Sequence, residues 1–330
     1  MVTIAITGGT GSFGQACVNK LLKSAQINGI DKIIIYSRDE QKQEKMARRF
    51  NNDKLRFFIG DVRDAERAKM ALYGCHFVIH AAALKIVPAG EYNPFEFVKT
   101  NILGTQNVLN AMDMWRTRFI MLSTDKAVNP VNLYGATKLA AEKLVLAHNN
   151  VHGEYGPQCA VVRYGNVANS NGSVIPVFAE YYAAGKPLPI TSKEMTRYYI
   201  TLEDAVDFVL NNLFNYSNDL TGKVFIPKMP SFKITDLAKA FGGKTEIVGV
   251  RPGEKIHETL DGITHSCDND TWLTVAQLRQ QLKQMGHIHE WKWNKKDLRY
   301  TYKGDPVIFD RAKKNENRGK KTAERSHSKG

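Results

Sequence analysis

Tyr134 and Lys138 have a spacing suited to proton transfer, in the pattern Y-x-x-x-K. Residues four apart share one face of a helix. A nearby lysine lowers the pKa of a phenol, so Tyr134 could accept a hydroxyl proton while a hydride leaves for a nicotinamide. The pattern alone arises by chance in a chain with 13 tyrosines. Its weight comes from its position just after a predicted strand that ends at Ser123.

A glycine-rich loop, TGGTGSFG, joins the first predicted strand to the first predicted helix. Glycine permits a tight turn and a close approach of the backbone to a pyrophosphate. The helix that follows offers free N–H groups and the positive end of its dipole. In this strand-loop-helix context the spacing G-x-x-G-x-x-G indicates dinucleotide binding rather than a structural turn. The residues expected to contact the cofactor are Gly8, Thr10, Gly11, Ser12, Phe13 and Gly14.

The end of the second predicted strand bears on which dinucleotide binds. An acidic residue at this point would bind the ribose hydroxyls of NAD. Here Ser37 and Arg38 come first, and Lys42 follows one turn later. A planar guanidinium suits a 2′-phosphate, so we expect NADP. Asp39 keeps NAD open as the alternative.

The third and fourth predicted strands end in further candidate cofactor contacts. Asp61 and Val62 follow the third strand, where the carboxylate could bind the adenine amino group or instead cap the next helix. The fourth strand leads into HAAALK, in which Lys85 could reach a ribose or a phosphate. The small residues there would let the backbone pass close to the cofactor, unless they serve only strand packing. These small residues are Ala81, Ala82 and Ala83.

Short β-branched runs alternate with helical patterns in the first half of the chain. The predicted strands are Val2–Thr7, Lys32–Ser37, Leu55–Ile59, His76–His80, Arg118–Ser123 and Ala160–Tyr164. The predicted helices are Phe13–Leu22, Gln41–Phe50, Ala65–Tyr73, Pro94–Met114 and Tyr134–Asn149. Most strands are continuously apolar, as expected for strands buried on both faces of a parallel sheet. The repeated βα units predict an α/β fold, a doubly wound parallel sheet with right-handed crossovers.

After about residue 165 the pieces become shorter and are punctuated by Gly and Pro. Helical patterns recur at Leu202–Phe214 and Ile234–Phe241. We therefore expect an NADP-binding domain over residues 1–165, which also takes part of 200–226. A smaller mixed α/β substrate domain is expected over residues 166–310.

The formal net charge of +13 admits nucleic acid, an anionic membrane surface or a phosphorylated substrate as a partner. Much of this charge lies in residues 311–330, which hold eight Lys/Arg against Glu316 and Glu324. That segment has no Val, Ile, Leu or aromatic residue, which predicts a disordered basic tail. Because the charge is concentrated there, we expect no DNA partner.

The residue pattern argues against a membrane or secreted protein and against metal sites and disulfides. No apolar run reaches about 18 residues, so no transmembrane segment is expected. The N-terminus lacks the features of a secretory signal, which favours a cytoplasmic protein. The pair His287-x-His289 has no acidic or Cys partner nearby, so no metal site is expected. The cysteines are too far apart to indicate zinc or disulfides; they are Cys17, Cys75, Cys159 and Cys267.

An ordered set of segments carries a resemblance to a known family. Over about residues 3–275 the chain resembles extended short-chain dehydrogenases/reductases of the Rossmann type. Within them it is similar to the inverting UDP-N-acetylglucosamine 4,6-dehydratases of pseudaminic acid and polysaccharide biosynthesis. The matching segments are TGGTGSFG, YSRDEQKQ, FFIGDVRD, HAAALK, STDKAVNPVNLYGATK, RYGNV, MTRYYITLEDAVDF and RPGEKIHE.

The resemblance implies a mechanism and the residues for it. Tyr134 with Lys138 would oxidise carbon 4 of the sugar, giving transient NADPH from a tightly bound NADP that is recycled in each turnover. Lys126 would then remove the proton on carbon 5, and Asp125 would protonate the leaving hydroxyl on carbon 6. Hydride returns to carbon 6, and reprotonation inverts carbon 5. Thr124 would contact the sugar or the nicotinamide. Lys126 can act as a base only if burial or nearby cations lower its pKa.

The resemblance also implies contacts to a nucleotide sugar. Lys85 belongs to this set as well as to the cofactor set, and Asn101 is a weaker member. An Arg that the family often carries near residue 171 is absent here, which puts local contacts in doubt. The expected substrate-binding residues are Lys85, Asn101, Tyr164, Asn166, Val174, Arg197, Arg251 and Glu254.

Two alternatives stay open at this stage. One is an NADP-dependent epimerase, or a dehydratase of a different sugar, although the Asp-Lys pair argues against a pure epimerase. The other is a non-catalytic dinucleotide-binding regulatory protein whose basic tail binds nucleic acid. The resemblance further implies a homo-oligomer built partly through helices around 94–114 and 132–149.

Overall fold

The fold is taken from a computed structural model of the chain. It forms two compact units, Met1–Leu278 and Arg279–Gly330, and the site lies in the first. The residues that the structure describes are 2–23, 29–112, 117–152, 156–170, 172–288, 292–294 and 299–301. The basic tail 311–330 and His289 lie outside the described residues.

The first unit is built around strands that alternate with helices. Its described strands, β1 to β12, are Val2–Thr7, Ile30–Ser37, Leu55–Ile59, Phe77–His80, Arg118–Thr124, Gln158–Tyr164, Asn166–Val167, Leu188–Ile190, Thr196–Ile200, Val224–Phe225, Ser231–Lys233 and Thr245–Ile247. The described helices, α1 to α11, are Ser12–Lys23, Glu40–Phe50, Ala65–Leu72, Val87–Tyr92, Pro94–Phe97, Gly104–Asn110, Leu133–His152, Val174–Ala183, Leu202–Phe214, Ile234–Phe241 and Val275–Gln284. In the second unit the described strands β13 and β14 are Lys292–Asn294 and Arg299–Thr301.

Seven parallel strands form the central sheet in the order β10-β6-β5-β4-β1-β2-β3. Along each strand, alternate side chains enter different hydrophobic clusters. Ile4 and Ile6 join one cluster, while Ala5 joins the other. Both faces of the sheet are therefore covered, which explains why the strand sequences are continuously apolar. The predicted doubly wound parallel sheet is confirmed.

The predicted single helix Pro94–Met114 is wrong in detail. The structure divides it into α5, a π-helical turn over Val98–Leu103, and α6. Asn101 lies within the wider turn, and its buried side chain bonds both to Leu84 and to Thr137. Single π-helical turns of this kind often mark functional regions, and no apolar periodicity reveals them.

The chain after β6 adds two small sheets beside the central one. β9 pairs with β7 and β11, and β8 pairs with β12. β10 returns to the central sheet beside β6, and α9 packs on α1. The predicted boundary at residue 165 stays a prediction, because both parts share the unit Met1–Leu278.

In the described part of the chain, the cysteines form no disulfide and the histidines belong to no metal-binding cluster. Cys17, Cys75 and Cys159 are buried thiols without disulfide partners, and Cys267 is partly exposed. No group of three His, Cys, Asp or Glu side chains among the described residues could hold a metal ion. The described helices include none that is long and apolar enough to cross a membrane.

One buried arginine joins the amino-terminal end of the interior strand β5 to the end of α9. Arg118, at the start of β5, is 5% exposed. Its guanidinium donates to the backbone oxygens of Leu213 at 2.7 Å, Asn215 at 2.9 Å and Asn218 at 3.0 Å. A cation at the C-terminus of a helix satisfies carbonyls that have no partner inside that helix.

We therefore expect Arg118→Met to lower the free energy of unfolding by about 2–4 kcal/mol, because several buried carbonyls lose their donor. Arg118→Lys keeps the charge but not the planar array of donors, so its loss should be smaller. Urea unfolding of the two variants and the wild type measures the difference. Equal stability of Arg118→Met and wild type would contradict this role.

Candidate active site

A cleft of about 770 Å³ runs along the carboxyl ends of the parallel strands. At this edge of an open α/β sheet, loops and helix N-termini converge, and ligands commonly bind there. The glycine loop before α1, the ends of β2 to β6 and the segment 251–258 all contribute to its lining. Of the residues predicted from the sequence as site residues, all line the cleft except Asp125 and Asn101.

The glycine loop packs directly on the segment that follows β4. Gly8 has a φ of +66°, and a Cβ placed there would lie 2.8 Å from the backbone nitrogen of Ala82. The Gly8 nitrogen donates to the oxygen of Tyr36 at 2.8 Å, which joins the loop to β2. The small residues after β4 thus lie against the glycine loop, with the start of α1 directed into the same end of the cleft.

The end of β2 brings both Arg38 and Asp39 to the cleft, and the acid is engaged there as a helix cap. Asp39 caps α2 by accepting from the Lys42 nitrogen at 2.9 Å, and it pairs with the Lys42 ammonium at 3.0 Å. The Arg38 side chain is 55% exposed, and its guanidinium lies 3.4 Å from the Asp61 carboxylate. Asp61 also binds Arg63, while the cap of α3 is Asp64. The alternative reading of Asp61 as that helix cap is therefore wrong.

Lys126 lies between two buried carboxylates at the centre of the cleft. It belongs to the 3₁₀ turn Asp125–Ala127 that follows β5. Its ammonium lies 3.0 Å from Asp125 Oδ1 and 3.2 Å from Glu258 Oε1. The side chain of Asp125 is 0% exposed and that of Glu258 is 2% exposed, whereas that of Lys126 is 24% exposed. One cation therefore serves two desolvated anions that come from distant parts of the chain.

The structure without ligands does not meet the condition under which Lys126 could act directly as a base, a lowered pKa. Burial acts to lower it, but the charges of Asp125 and Glu258 outweigh burial and raise the pKa of Lys126 above its usual value. In the protein without substrate, Lys126 is thus an ammonium ion. To act as a base it must first pass its proton to another group.

Tyr134 begins α7 next to this cluster. Burial raises its pKa to about 12, while the charge of Lys126 and a hydrogen bond with Thr124 act to lower it. Lys138, one turn further on, donates to the backbone oxygen of Leu122 at 2.8 Å. Burial lowers the pKa of Lys138 to about 8. Without a ligand, the cation that lowers the pKa of Tyr134 is Lys126. The predicted pairing of Tyr134 with Lys138 stays a prediction.

α7 approaches this turn closely because of one glycine. A Cβ on Gly135 would collide with the backbone oxygen of Lys126. Asn132 caps the helix by accepting from the Gly135 nitrogen at 2.8 Å, and its amide donates to Gly253 at 2.8 Å. The start of α7, the Asp125–Ala127 turn and the segment 251–258 are thereby held together.

The far end of the cleft offers polar groups from β6, β7 and α8. Asn166 Oδ1 and Ser173 Oγ are buried there and have no hydrogen-bond partner among the residues that the structure describes. Buried polar atoms without partners are rare, and in a cleft they indicate where a polar ligand binds. Tyr164 and Val174 line the same end.

The two predicted substrate arginines have different surroundings. Arg197 is 8% exposed and donates to the backbone oxygens of Lys255 at 2.9 Å and Ile256 at 3.0 Å. Arg251 is exposed, and its backbone lies 3.4 Å from the Glu254 carboxylate. The guanidinium of Arg251 is free to meet a ligand, whereas that of Arg197 is largely committed to the backbone.

Asn101 does not line the cleft, contrary to the weaker expectation. Its side chain is 1% exposed. Its oxygen accepts from the Leu84 nitrogen at 2.8 Å, and its amide donates to the Leu84 oxygen at 2.9 Å and to Thr137 at 3.0 Å. With all of these bonds made inside the protein, Asn101 holds the segment that carries Lys85.

Glu258 is the site residue that reasoning from the sequence missed. It ends the segment RPGEKIHE, in which only Arg251 and Glu254 were singled out. A glutamate has no spacing that predicts contact with a lysine 132 positions earlier. Its burial and its distance from Lys126 become visible only in three dimensions.

Comparison with known proteins places this site in a family. The family described as polysaccharide biosynthesis protein matches residues 4–276. The chain belongs to this family. It is 53% identical over 261 residues to a Campylobacter jejuni protein named UDP-N-acetylglucosamine 4,6-dehydratase (inverting), covering 78% of this chain and 76% of that protein.

One further relative carries a different enzyme name, and two solved structures resemble this chain. A Rickettsia rickettsii protein named UDP-glucose 4-epimerase is 48% identical over 265 residues, covering 78% of this chain and 77% of that protein. The solved structure of Pen from Bacillus thuringiensis has a TM-score of 0.76 at 29% identity, covering 86% of this chain and 97% of that one. DesIV, a dTDP-glucose 4,6-dehydratase from Streptomyces venezuelae, shares the fold with a TM-score of 0.68 at 20% identity, covering 86% of this chain and 98% of that one.

The packing of the glycine loop gives a test of its role. We expect Gly8→Ala to weaken binding of the dinucleotide cofactor about tenfold or more, because the new Cβ meets the Ala82 backbone and displaces the loop. Gly74→Ala is the matched control, since Gly74 has a similar φ of +69° but open space around it. Isothermal titration calorimetry measures both dissociation constants. Equal weakening in the two variants would show that backbone strain alone matters.

Proposed function

We propose that this protein is a UDP-N-acetylglucosamine 4,6-dehydratase that inverts carbon 5. The observation that carries the proposal is the Lys126 ammonium between Asp125 and Glu258, beside Tyr134 in one cleft. Elimination of water needs a base and an acid close together, and these groups supply both. The Campylobacter jejuni relative supports the choice of sugar.

We propose NADP as the cofactor, held in the half of the cleft formed by the glycine loop. The close-packed glycines suit a pyrophosphate, and the exposed Arg38 suits a 2′-phosphate, while Asp39 is engaged as a helix cap. Thr100 Oγ1, which lines this cleft, is buried without a partner, as expected where a polar ligand completes the site. When bound, NADP would accept hydride from carbon 4 of the sugar and return it to carbon 6.

The protein's own groups would then handle the protons. Tyr134 must lose its own proton before it can accept that of the carbon-4 hydroxyl, and the Lys126 charge and the Thr124 hydroxyl stabilise the phenolate that does so. The resulting ketone acidifies carbon 5, whose proton Lys126 removes. Asp125 protonates the hydroxyl that leaves carbon 6. Because Asp125 lies beneath the cleft lining, its hydrogen bond with Thr124 at 2.9 Å connects it to the cleft.

The nucleotide sugar would occupy the other half of the cleft. Asn166 and Ser173 offer unpartnered polar atoms to it, and the exposed Arg251 offers a guanidinium for a diphosphate. The partner we propose is accordingly a UDP-sugar, bound with its hexose toward Tyr134.

We also propose that the enzyme works in the cytoplasm as a homo-oligomer. Three buried free thiols fit a reducing compartment. Apolar side chains exposed on α4, α5 and the π-helical turn would suit a subunit contact; they are Tyr92, Phe95 and Leu103.

A 4-epimerase is the second candidate function. It is favoured by the Rickettsia relative named UDP-glucose 4-epimerase. An epimerase would need Tyr134 and the cofactor but would have no use for a base at carbon 5. The ion cluster around Lys126 therefore favours the dehydratase.

Incubation with UDP-N-acetylglucosamine and NADP in D₂O, followed by NMR, tests the proposal. We expect a 4-keto-6-deoxy product with deuterium on an inverted carbon 5. Lys126→Arg keeps a cation between the carboxylates but cannot act as a base, so it should fold normally and lose about 10²- to 10⁴-fold in rate. A product that differs from the substrate only at carbon 4, with no deuterium at carbon 5, would identify an epimerase instead.

The choice of NADP has its own test. We expect Arg38→Ala to weaken NADP binding about 10- to 100-fold and to leave NAD binding nearly unchanged, because the guanidinium would meet only the 2′-phosphate. Arg48→Ala, which removes an exposed cation from the same helix region, is the control. If Arg38→Ala weakens both cofactors equally, Arg38 does not select NADP.

A further inference from the structure

Glu258 is a buried acid to which the proposed reaction steps assign no proton transfer. Its backbone is fixed on both sides, because its nitrogen donates to Ser266 Oγ at 3.0 Å and its oxygen accepts from the Ser266 nitrogen at 2.7 Å. Its two carboxylate oxygens lie 3.2 Å from the Lys126 ammonium and 3.4 Å from the Lys255 ammonium. Burial of a carboxylate costs desolvation free energy, and the two ammonium groups beside Glu258 offset part of that cost.

The segment that carries Glu258 is tied to the catalytic turn by several side chains. Lys255 donates to the backbone oxygen of Val128 at 2.5 Å, directly after the turn that holds Lys126. Asn132 and Arg197 bond to other backbone oxygens of the same segment. The position of Glu258 relative to Lys126 is therefore set by the fold and does not depend on a flexible loop.

Asp125, Lys126, Glu258 and Lys255 form a row of alternating charge. Consecutive members lie 3.0 Å, 3.2 Å and 3.4 Å apart, as measured between the charged atoms. Glu258 lines the cleft, whereas Asp125 lies beneath it. The charged and titratable groups that face this row are Tyr134, Arg197, Lys85 and Tyr198.

We propose that Glu258 is a positioning residue that keeps exactly one transferable proton on the pair Asp125 and Lys126. This inference rests on the proposed dehydratase function. In the resting protein the proton is on Lys126, held by Glu258. Transfer of that proton to Asp125 leaves an amine and a carboxylic acid side by side, without exchange of a proton with solvent.

The elimination then balances. The Lys126 amine takes the proton from carbon 5, and the electron pair of that bond forms the carbon 5 to carbon 6 double bond. The carbon 6 hydroxyl leaves with the proton of Asp125 as water. Lys126 is again an ammonium and Asp125 again a carboxylate, so the pair ends with the one proton with which it began.

Removal of the charge of Glu258 should make this proton easier to lose. Without an anion 3.2 Å away, the Lys126 ammonium is less stabilised, so its pKa falls. For a pair at this separation the shift is about one to three pH units. The pair should then lose its proton at a lower pH. The pH at which the rate of elimination falls on the alkaline side should decrease by a similar amount.

The titration of Lys126 tests this without any turnover. The full-length protein is acetylated by trace acetic anhydride across a pH series, and the Lys126 peptide is quantified by mass spectrometry. We expect Lys126 in Glu258→Gln to become reactive about one pH unit or more below the wild type. Glu44→Gln, which removes an exposed carboxylate paired with Arg48, should leave the titration unchanged. Identical Lys126 titrations in Glu258→Gln and wild type would overturn the inference.

A second measurement separates this inference from the proposed function. The pH dependence of deuterium incorporation at carbon 5 should show its alkaline limb at lower pH in Glu258→Gln, whereas a purely structural role would lower the rate at every pH equally. If the wild type forms no product, the proposed function fails while the acetylation result still stands. If Glu258→Gln does not fold, Glu258→Asp, which withdraws the charge by one methylene, should shift both titrations in the same direction by a smaller amount.

Discussion

The burial of two carboxylates against one lysine is the constraint on which the site depends. Desolvated charges are tolerated only when they are paired; here the Lys126 ammonium pairs with both Asp125 and Glu258, and Lys255 pairs with Glu258 as well. Asp125 comes from the end of β5, and Glu258 comes from a segment 133 residues later. The Lys126 ammonium therefore joins the end of the central sheet to the segment 251–258, and both line the cleft.

The parallel sheet explains how one short region can serve two ligands. All seven strands point the same way, so their carboxyl ends deliver the glycine loop, Arg38 and the Asp125–Ala127 turn to one edge. α7 then presents Tyr134 from the start of a helix that Gly135 lets close on this turn. A dinucleotide in one half of the cleft and a nucleotide sugar in the other would meet at Tyr134 and Lys126.

Much of the fold was predictable because it follows from local pattern. Apolar β-branched runs and the glycine loop can be recognised from a few consecutive residues. Apart from Pro94–Met114, the predicted strands and helices of the first half lie close to their observed bounds. The site was predictable where a motif carried it, as with Tyr134. The predictions that failed depend on contacts between residues that are far apart in the sequence. Asn101 in the π-helical turn bonds to Leu84 and Thr137, and the charge state of Lys126 depends on Asp125 and Glu258. None of these contacts leaves a periodic signal in the sequence.

The central claim is that one cleft oxidises carbon 4 and then reduces carbon 6 of the same sugar. It is tested most directly by UDP-N-acetylglucosamine that carries deuterium at carbon 4, mixed with unlabelled substrate and analysed by NMR and mass spectrometry. The account predicts that the deuterium moves to carbon 6 of the same molecule, with none transferred between molecules. Deuterium that remains at carbon 4 of the product would contradict it.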